Sequence, residues 1–151
     1  MVETEGSNSQ YGMSVNTLCR RAFSATQTRL HLIVLSQFNI EMGRFMQKII
    51  TKYFENWNSH NVEALSSLFD EKITLKDWDI SAHGIDQVTE ANQKIFISAP
   101  KIRAEIIDIS FNEKYTYANL IIHIDDDIKL NVIDVIKIRN GKIVSLSAYR
   151  Q

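Results

Sequence analysis

Four strand-like segments follow one another through the last third of the chain, and they constrain its fold more than any other feature. They read IRAEIIDISF, YTYANLIIHI, IKLNVIDVIKIR and KIVSLSAYR, and each is rich in β-branched or aromatic residues. Asn140-Gly141 separates the last two segments, a pair that strongly favours a two-residue hairpin turn. The spacing predicts an antiparallel meander, and one face of such a sheet has to be covered by other elements.

The residues before the meander supply the helices that cover this face. MQKIITKYFENWNSH carries apolar side chains at helical spacing. Asn61 is a good N-cap for a second short helix, VEALSSLF, and ITLKDWD alternates like a strand. Gly84 then begins a third helix that Pro100 ends. We predict an α+β domain in which a curved antiparallel sheet wraps around about three helices, as a cone with an internal cavity.

Residues 1–45 differ from the rest of the chain. Residues 2–17 are small and polar and show no helical or strand period, and residues 20–37 add arginines, serines and a short apolar run. We interpret residues 1–45 as a disordered extension, or as an upstream stretch outside the native product, and Met46 as the natural start of a domain over 46–151. A transit peptide is the alternative, since the stretch contains arginines and serines. Glu3 and Glu5 argue against it, because acidic residues are scarce in such peptides.

The composition excludes some classes of protein. Lys and Arg number 17 against 18 Asp and Glu, so the chain lacks the basic excess of a nucleic-acid-binding protein. Cys19 is the single cysteine, which rules out an intrachain disulfide and favours a reducing compartment, the cytoplasm. The longest apolar run, Leu30–Leu35, is far shorter than a membrane span. We therefore expect a cytoplasmic protein that contacts neither nucleic acid nor membrane.

Asp134 lies at the centre of the third strand-like segment, in its apolar row. Alternate side chains of a strand face opposite sides, so Asp134 shares its side with Val132 and Ile136. The cations of the segment, Lys129, Lys137 and Arg139, all fall in the other row. A buried carboxylate is costly unless it is paired or protonated, so the pattern indicates a pocket at this point. A β-bulge would reverse the parity and expose Asp134.

Two further polar residues share this inward placement. Asp77 has the parity of Ile73 and Leu75 in the first strand, and Tyr53 lies on the apolar face of the first helix, one turn from Trp57. Each also has a plainer interpretation: Tyr53 as a core residue with its hydroxyl bonded to the backbone, and Asp77 as part of a solvated turn.

The chain resembles the nuclear transport factor 2-like superfamily, in its SnoaL-like and ketosteroid isomerase-like branch. The resemblance rests on IITKYFENWNSHNVEALSSLFDEKITLKDWDISAHG and KLNVIDVIKIRNGKIVSLSAYR, and it covers Met46 to Gln151. It implies Asp77 as a general base, with Tyr53 and a protonated Asp134 as an oxyanion hole. Ketosteroid isomerase is the established example of this pKa arrangement.

The resemblance also implies a cofactor-free and metal-free isomerase or cyclase that acts on a small apolar carbonyl compound. The pocket walls are expected to include Trp57, Trp78, Val132 and Ile136. Trp78 stands where the family often has a proline, which predicts a narrowed or reshaped entrance. Val132 stands where related epoxide hydrolases have an arginine, which argues against that chemistry. The competing function is a non-catalytic pocket or dimerisation module of the same fold.

The remaining polar residues give weaker signals. His60 and His83 are predicted at a helix end and in a surface turn, and the four histidines lack the spacing of a metal site. His123 is predicted to line the cavity or to face a partner, and Asp125–Asp127 to form a solvated turn. Both faces of the last strands are apolar, with residues that include Ile133, Val135 and Leu146. One face needs cover, and the family resemblance implies a homodimer.

Overall fold

A computed structural model describes residues 15–151, with side chains from residue 26 onward. The first 14 residues and the side chain of Cys19 therefore lie outside the described part. The chain divides into two compact units, Met1–Glu41 and Met42–Gln151. Residues 15–45 belong to a helix, although the sequence indicated no regular structure there. The assignment of residues 1–45 as an extension outside the domain stays a prediction.

Three helices are found among the described residues, and the sequence explains where the second and third begin. They are α1 (Val15–Asn58), α2 (Val62–Ser66) and α3 (Ile85–Ser98). The Oδ1 atom of Asn61 accepts a hydrogen bond from the amide of Ala64 at 3.0 Å, as expected of an N-cap. Gly84 has a φ of 84°, which glycine adopts without strain, and it allows the chain to enter α3.

Six strands form one open sheet within the described residues. They are β1 (Phe69–Lys76), β2 (Ser81–His83), β3 (Arg103–Phe111), β4 (Thr116–His123), β5 (Lys129–Arg139) and β6 (Lys142–Arg150). Their order in the sheet is β2-β1-β6-β5-β4-β3. The meander from β3 to β6 is antiparallel, as predicted. Two features differ from the prediction: β2 is an additional short strand, and β1 pairs with β6 in parallel.

The turn between β5 and β6 is the hairpin that the sequence predicts. Asn140 and Gly141 both have positive φ, 51° and 75°, and Arg139 pairs with Lys142 across the turn. Two consecutive residues with positive φ match the twist of the flanking strands. The turn sets the pairing of Ile138 with Ile143, and an irregularity between Lys137 and Ile138 then shifts the register by one residue, so that Asp134 pairs with Ala148.

The core of the second unit lies between one face of the sheet and the helices. Its α1 contribution comes from Ile49, Ile50, Tyr53, Phe54 and Trp57, which are all buried. On the side of the sheet, Val132 and Ile136 of β5 are buried. No helix in the described part of the chain is both long enough and apolar enough to cross a membrane.

Candidate functional site

A cavity of about 450 Å³ opens between the helices and the inner face of the sheet. Its wall is mostly apolar, and Tyr53, Asp77 and Asp134 all line it. The three residues come from α1, from the turn after β1 and from the middle of β5. The structure thus brings together the three polar residues that the sequence singled out, although each comes from a separate element.

Asp134 lies on the cavity wall because its neighbours in the sheet are small. Its register partners are Ala118 on β4 and Ala148 on β6, so the space above the carboxyl group stays open. Along β5, Val132 is buried on the same face, as the strand parity predicts. No side chain or backbone group among the described residues forms a hydrogen bond with the Asp134 carboxyl group.

Burial and, to a smaller extent, the negative charge of Asp77 together raise the pKa of Asp134 from 3.8 to about 7. Both causes disfavour the ionised carboxylate: the first removes water from around the charge, and the second places a like charge nearby. Asp134 is therefore substantially protonated at neutral pH. A protonated carboxyl group donates one hydrogen bond, and here its donor has an open cavity in front of it.

Tyr53 is buried on α1, and its ring packs edge-on against Phe54 with the centroids 4.9 Å apart. Its ring also lies 6.4 Å from that of Phe69. Two causes raise the pKa of the Tyr53 hydroxyl above its ordinary value. Burial is the larger cause, and the negative charge of an ionised Asp134 is the smaller. Within the described residues the hydroxyl has no hydrogen-bond partner, so the backbone bond of the plainer interpretation is not formed. Tyr53 is thus a neutral donor that faces the cavity.

Asp77 follows the last residue of β1 and begins a tight turn. Its Oδ1 atom accepts hydrogen bonds from the amides of Asp79 at 2.7 Å and Ile80 at 2.5 Å. Its own amide donates to the carbonyl of Ile80 at 2.9 Å. The turn of the plainer interpretation is therefore present, and the same carboxylate also lines the cavity. Since Oδ1 holds the turn together, Oδ2 is the oxygen left for a ligand.

Three of the four predicted wall residues line the cavity, and one does not. Trp57 and Val132 are buried in the wall, and Trp78 is 45% exposed, which places it at the entrance. Ile136 is completely buried in the core and does not line the cavity. It pairs with Thr116 on β4 and Leu146 on β6, and all three side chains are buried.

Asn92 on α3 lines the cavity and was missed by the sequence analysis. Its side chain is only 3% exposed, and its Nδ2 atom donates to the carbonyl of Val88 at 2.8 Å. The signal was present in the sequence, because position 92 lies four residues after Val88 and four before Phe96, on the apolar face of the helix. The helical period that identified the apolar residues therefore also identifies this amide as inward-facing.

The other polar candidates lie away from the cavity. The Nε2 atom of His123 lies 2.6 Å from a carboxylate oxygen of Glu105, and neither residue lines the cavity. The ring of His60 stacks on Phe96 at 4.4 Å, and Asp125 accepts two amide hydrogen bonds in a turn. In the described part of the chain, no three His, Cys, Asp or Glu side chains are grouped so that they could hold a metal ion.

Helices that cover one face of an open six-stranded sheet, with a cavity between them, define the ketosteroid isomerase-like class of α+β proteins, also called nuclear transport factor 2-like. Residues 50–146 match the family model of the SnoaL-like domain. This match spans more than half of the chain, so the chain belongs to the SnoaL-like family. The resemblance inferred from the sequence is thereby confirmed.

Solved structures of other proteins share this fold. A SnoaL-like protein of unknown function from Burkholderia thailandensis is 14% identical, with a TM-score of 0.65 over 72% of this chain and 96% of that one. A candidate ketosteroid isomerase from Kribbella flavida is 13% identical, with a TM-score of 0.63 over 72% of this chain and 78% of that one. A candidate polyketide cyclase from Sinorhizobium meliloti is 16% identical, with a TM-score of 0.62 over 67% of this chain and 93% of that one. A search among curated proteins found no match.

Proposed function

We propose that the protein is a cofactor-free enzyme that moves a proton next to the carbonyl group of a small apolar ligand. The observation that carries this proposal is the pair of unpartnered donors, Tyr53 and protonated Asp134, on the wall of one apolar cavity beside Asp77. An apolar pocket that only binds ligand needs no such pair, because each buried polar group without a partner costs free energy.

The proposed reaction uses all three groups, and Asp77 acts in two steps. The Oδ2 atom of Asp77 removes a proton from the carbon next to the carbonyl group, and the electron pair moves toward the carbonyl oxygen. Tyr53 and Asp134 donate hydrogen bonds to the oxyanion that forms, in a site with little water, where such bonds are strongest. Asp77 then returns the same proton to another carbon of the conjugated system. The product is an isomer of the ligand, so the atoms balance without a further reactant.

The proposed roles set a pH dependence. Asp134 donates only while it is protonated, and its pKa is about 7. Stabilisation of the oxyanion by Asp134 is therefore present below this pH and is lost as the pH rises through it. The pKa of Tyr53 is raised, so the phenol stays neutral throughout this range and does not add a second loss.

The first experiment measures binding of substituted phenols and naphthols, whose phenolic oxygen imitates an enolate oxygen. The two tryptophans of the chain, Trp57 and Trp78, both line the cavity, so their fluorescence reports binding. We expect binding by the wild type and a loss of about tenfold or more in Asp134→Leu. Binding that is equal in both proteins would refute the oxyanion hole.

The alternative is a non-catalytic ligand-binding module, and the geometry of Asp77 favours it. One oxygen of this carboxylate is already used by two backbone amides, which is a sufficient structural reason for an aspartate at this position. The two functions differ in proton transfer. An enzyme exchanges the proton next to the carbonyl of a bound β,γ-unsaturated ketone with solvent deuterium, and Asp77→Asn abolishes this exchange. A binding module gives no exchange above the rate in buffer.

The outer face of the sheet is the basis for a proposed homodimer. Ile133 and Val135 lie on the face opposite Asp134, and Tyr149 beside Ile133 is 59% exposed. Leu146, by contrast, lines the cavity, so it does not contribute to this outer patch. A second copy would cover the patch. We expect light scattering to give a dimer mass for the wild type and a monomer mass for Ile133→Lys, whereas a monomeric wild type would contradict the proposal.

A further inference from the structure

Asn92 places a hydrogen-bond acceptor on the cavity wall, separate from the two donors of the proposed oxyanion hole. The side chain is 3% exposed and lies on the apolar face of α3, beside Val88 and Phe96. An amide buried among apolar groups costs free energy unless its donor and acceptor atoms are used. The question is therefore which of its atoms has a partner.

Only one end of this amide is used. Its Nδ2 atom donates to the carbonyl of Val88 at 2.8 Å, and because a carbonyl only accepts, this bond also fixes which way the amide points. The Oδ1 atom has no partner among the described residues. The hydroxyl groups of Thr89 and Thr116 are fully buried without a partner, and neither residue lines the cavity. Asn92 Oδ1 is not among these fully buried atoms, and its residue lines the cavity, as Tyr53 and Asp134 do.

We infer that Asn92 Oδ1 accepts a hydrogen bond from a hydroxyl group of the ligand, so that the ligand is a hydroxyl-bearing carbonyl compound. An amide oxygen only accepts, so it selects a donor, whereas Tyr53 and protonated Asp134 donate and so select an acceptor. The two kinds of polar group on one wall are complementary to a ligand with both a carbonyl and a hydroxyl group. The carbonyl half of this inference rests on the proposed function; the hydroxyl half does not.

The size and polarity of the cavity agree with a ligand of this class. A volume of about 450 Å³ lies toward the lower end of small-molecule sites, and a fused two-ring skeleton fits within it. The wall is mostly apolar, so each hydroxyl group of the ligand needs a specific acceptor to offset its loss of water. If Asn92 were purely structural and bonded only the preceding turn of its helix, ligands with and without a hydroxyl group would show no preference that depends on it.

Regioisomeric naphthalenediols test the inference, each compared with its monomethyl ether and with the parent naphthol. One hydroxyl group occupies the oxyanion hole, and the second samples different positions on the ring system. For at least one isomer, we expect the wild type to bind the diol about three- to tenfold more tightly than its ether and the parent naphthol. In Asn92→Leu this preference should disappear, while binding of the parent naphthol is retained.

The matched control is Gln93→Leu, which makes the same kind of change at the adjacent, exposed position of α3. It should keep the wild-type preference. A wild type that prefers no diol overturns the inference without any variant, and so does a preference that persists in Asn92→Leu. If the leucine variant does not fold, Asn92→Ala provides the same comparison.

Asp134→Leu separates this inference from the proposed function. If the oxyanion hole is wrong but Asn92 accepts a ligand hydroxyl, the preference for the diol persists in Asp134→Leu, and naphthol binding is equal to that of the wild type. If the oxyanion hole is right and the Asn92 inference is wrong, naphthol binding falls in Asp134→Leu, and no diol preference depends on Asn92.

Discussion

Replacement of Asp134 by asparagine should stabilise the folded protein at neutral and alkaline pH. Asparagine has nearly the same shape as aspartate but cannot ionise, so it removes the cost of a charge on the cavity wall. The cost arises because burial and the charge of Asp77 raise the pKa of this carboxyl group to about 7. The substitution should therefore raise the free energy of unfolding, and it also removes a carboxyl group to which we assign a function.

The size and the pH range of the effect follow from the two pKa values. The folded value is about 7 and the ordinary value is 3.8, and 1.36 kcal/mol per pKa unit converts the difference to roughly 4 kcal/mol. Because the folded state binds the proton more tightly than the unfolded state, wild-type stability falls as the pH rises from about 4 to about 7. The destabilisation is absent below this range and complete above it.

Urea denaturation of both proteins between pH 4 and pH 9 measures this difference. The gain in the free energy of unfolding for Asp134→Asn should grow from pH 4 to pH 7 and then level off. Because the other ionisable groups are the same in both proteins, their contributions cancel when the two free energies are subtracted. Asp108→Asn is the control, since it makes the same change on an exposed strand residue, and its effect should stay small. A difference between wild type and Asp134→Asn that does not vary with pH would refute the argument that Asp134 is protonated in the folded state.

Three further predictions test other parts of the structure. Tyr53→Phe keeps the buried ring but removes the unpartnered hydroxyl, so naphthol binding should weaken about tenfold in a fluorescence titration, with an unfolding midpoint at least as high as that of the wild type. Unchanged binding would exclude the hydroxyl from the site. Ala148→Leu places a larger side chain next to Asp134 in the cavity wall, so it should abolish naphthol binding while circular dichroism shows a folded protein. Retained binding would show that the ligand lies elsewhere. Asn61→Ala removes the acceptor for the Ala64 amide, so it should lower the free energy of unfolding by about 1 kcal/mol in urea denaturation and leave ligand binding unchanged. A negligible loss would mean that this hydrogen bond does not stabilise α2.

Strand parity was sufficient to predict the position of Asp134. The alternation of β5 is unbroken from Val132 to Ile136, and the register shift against β6, between Lys137 and Ile138, lies outside this stretch. The face of each side chain in this stretch therefore follows from the sequence alone. The same reasoning placed Tyr53 on the inner face of α1, because the helical period of its apolar neighbours is regular.

Side-chain parity could not predict which inner-face residues line the cavity and which lie in the packed core. Val132 and Ile136 share a face of β5, yet one lines the cavity and the other is sealed in the core. The neighbours of each position come from other strands: Val132 pairs with Leu120 and Arg150, and Ile136 pairs with Thr116 and Leu146. Strand pairing brings these residues together, so a pattern within β5 carries no information about them.

Asp77 shows a second limit, because strand alternation ends where a side chain begins to bond its own backbone. The carboxylate holds the turn to Ile80 through two amides, and this local bonding is typical of aspartate after a strand. The turn nevertheless leaves the residue on the cavity wall, so the solvated-turn and pocket interpretations are both partly correct.

The energetics of the cavity wall bear on why these residues are present. A cost of roughly 4 kcal/mol at Asp134 is a large part of the 5–15 kcal/mol that stabilises a typical domain. An alanine or valine at this position would continue the apolar row of β5 without that cost. Tyr53 and Asn92 add polar atoms without a partner among the described residues to the same wall, although phenylalanine and leucine would fill the same places. Stability alone therefore does not explain the polar side of the cavity, whereas a ligand with one carbonyl and one hydroxyl group would use all of these atoms.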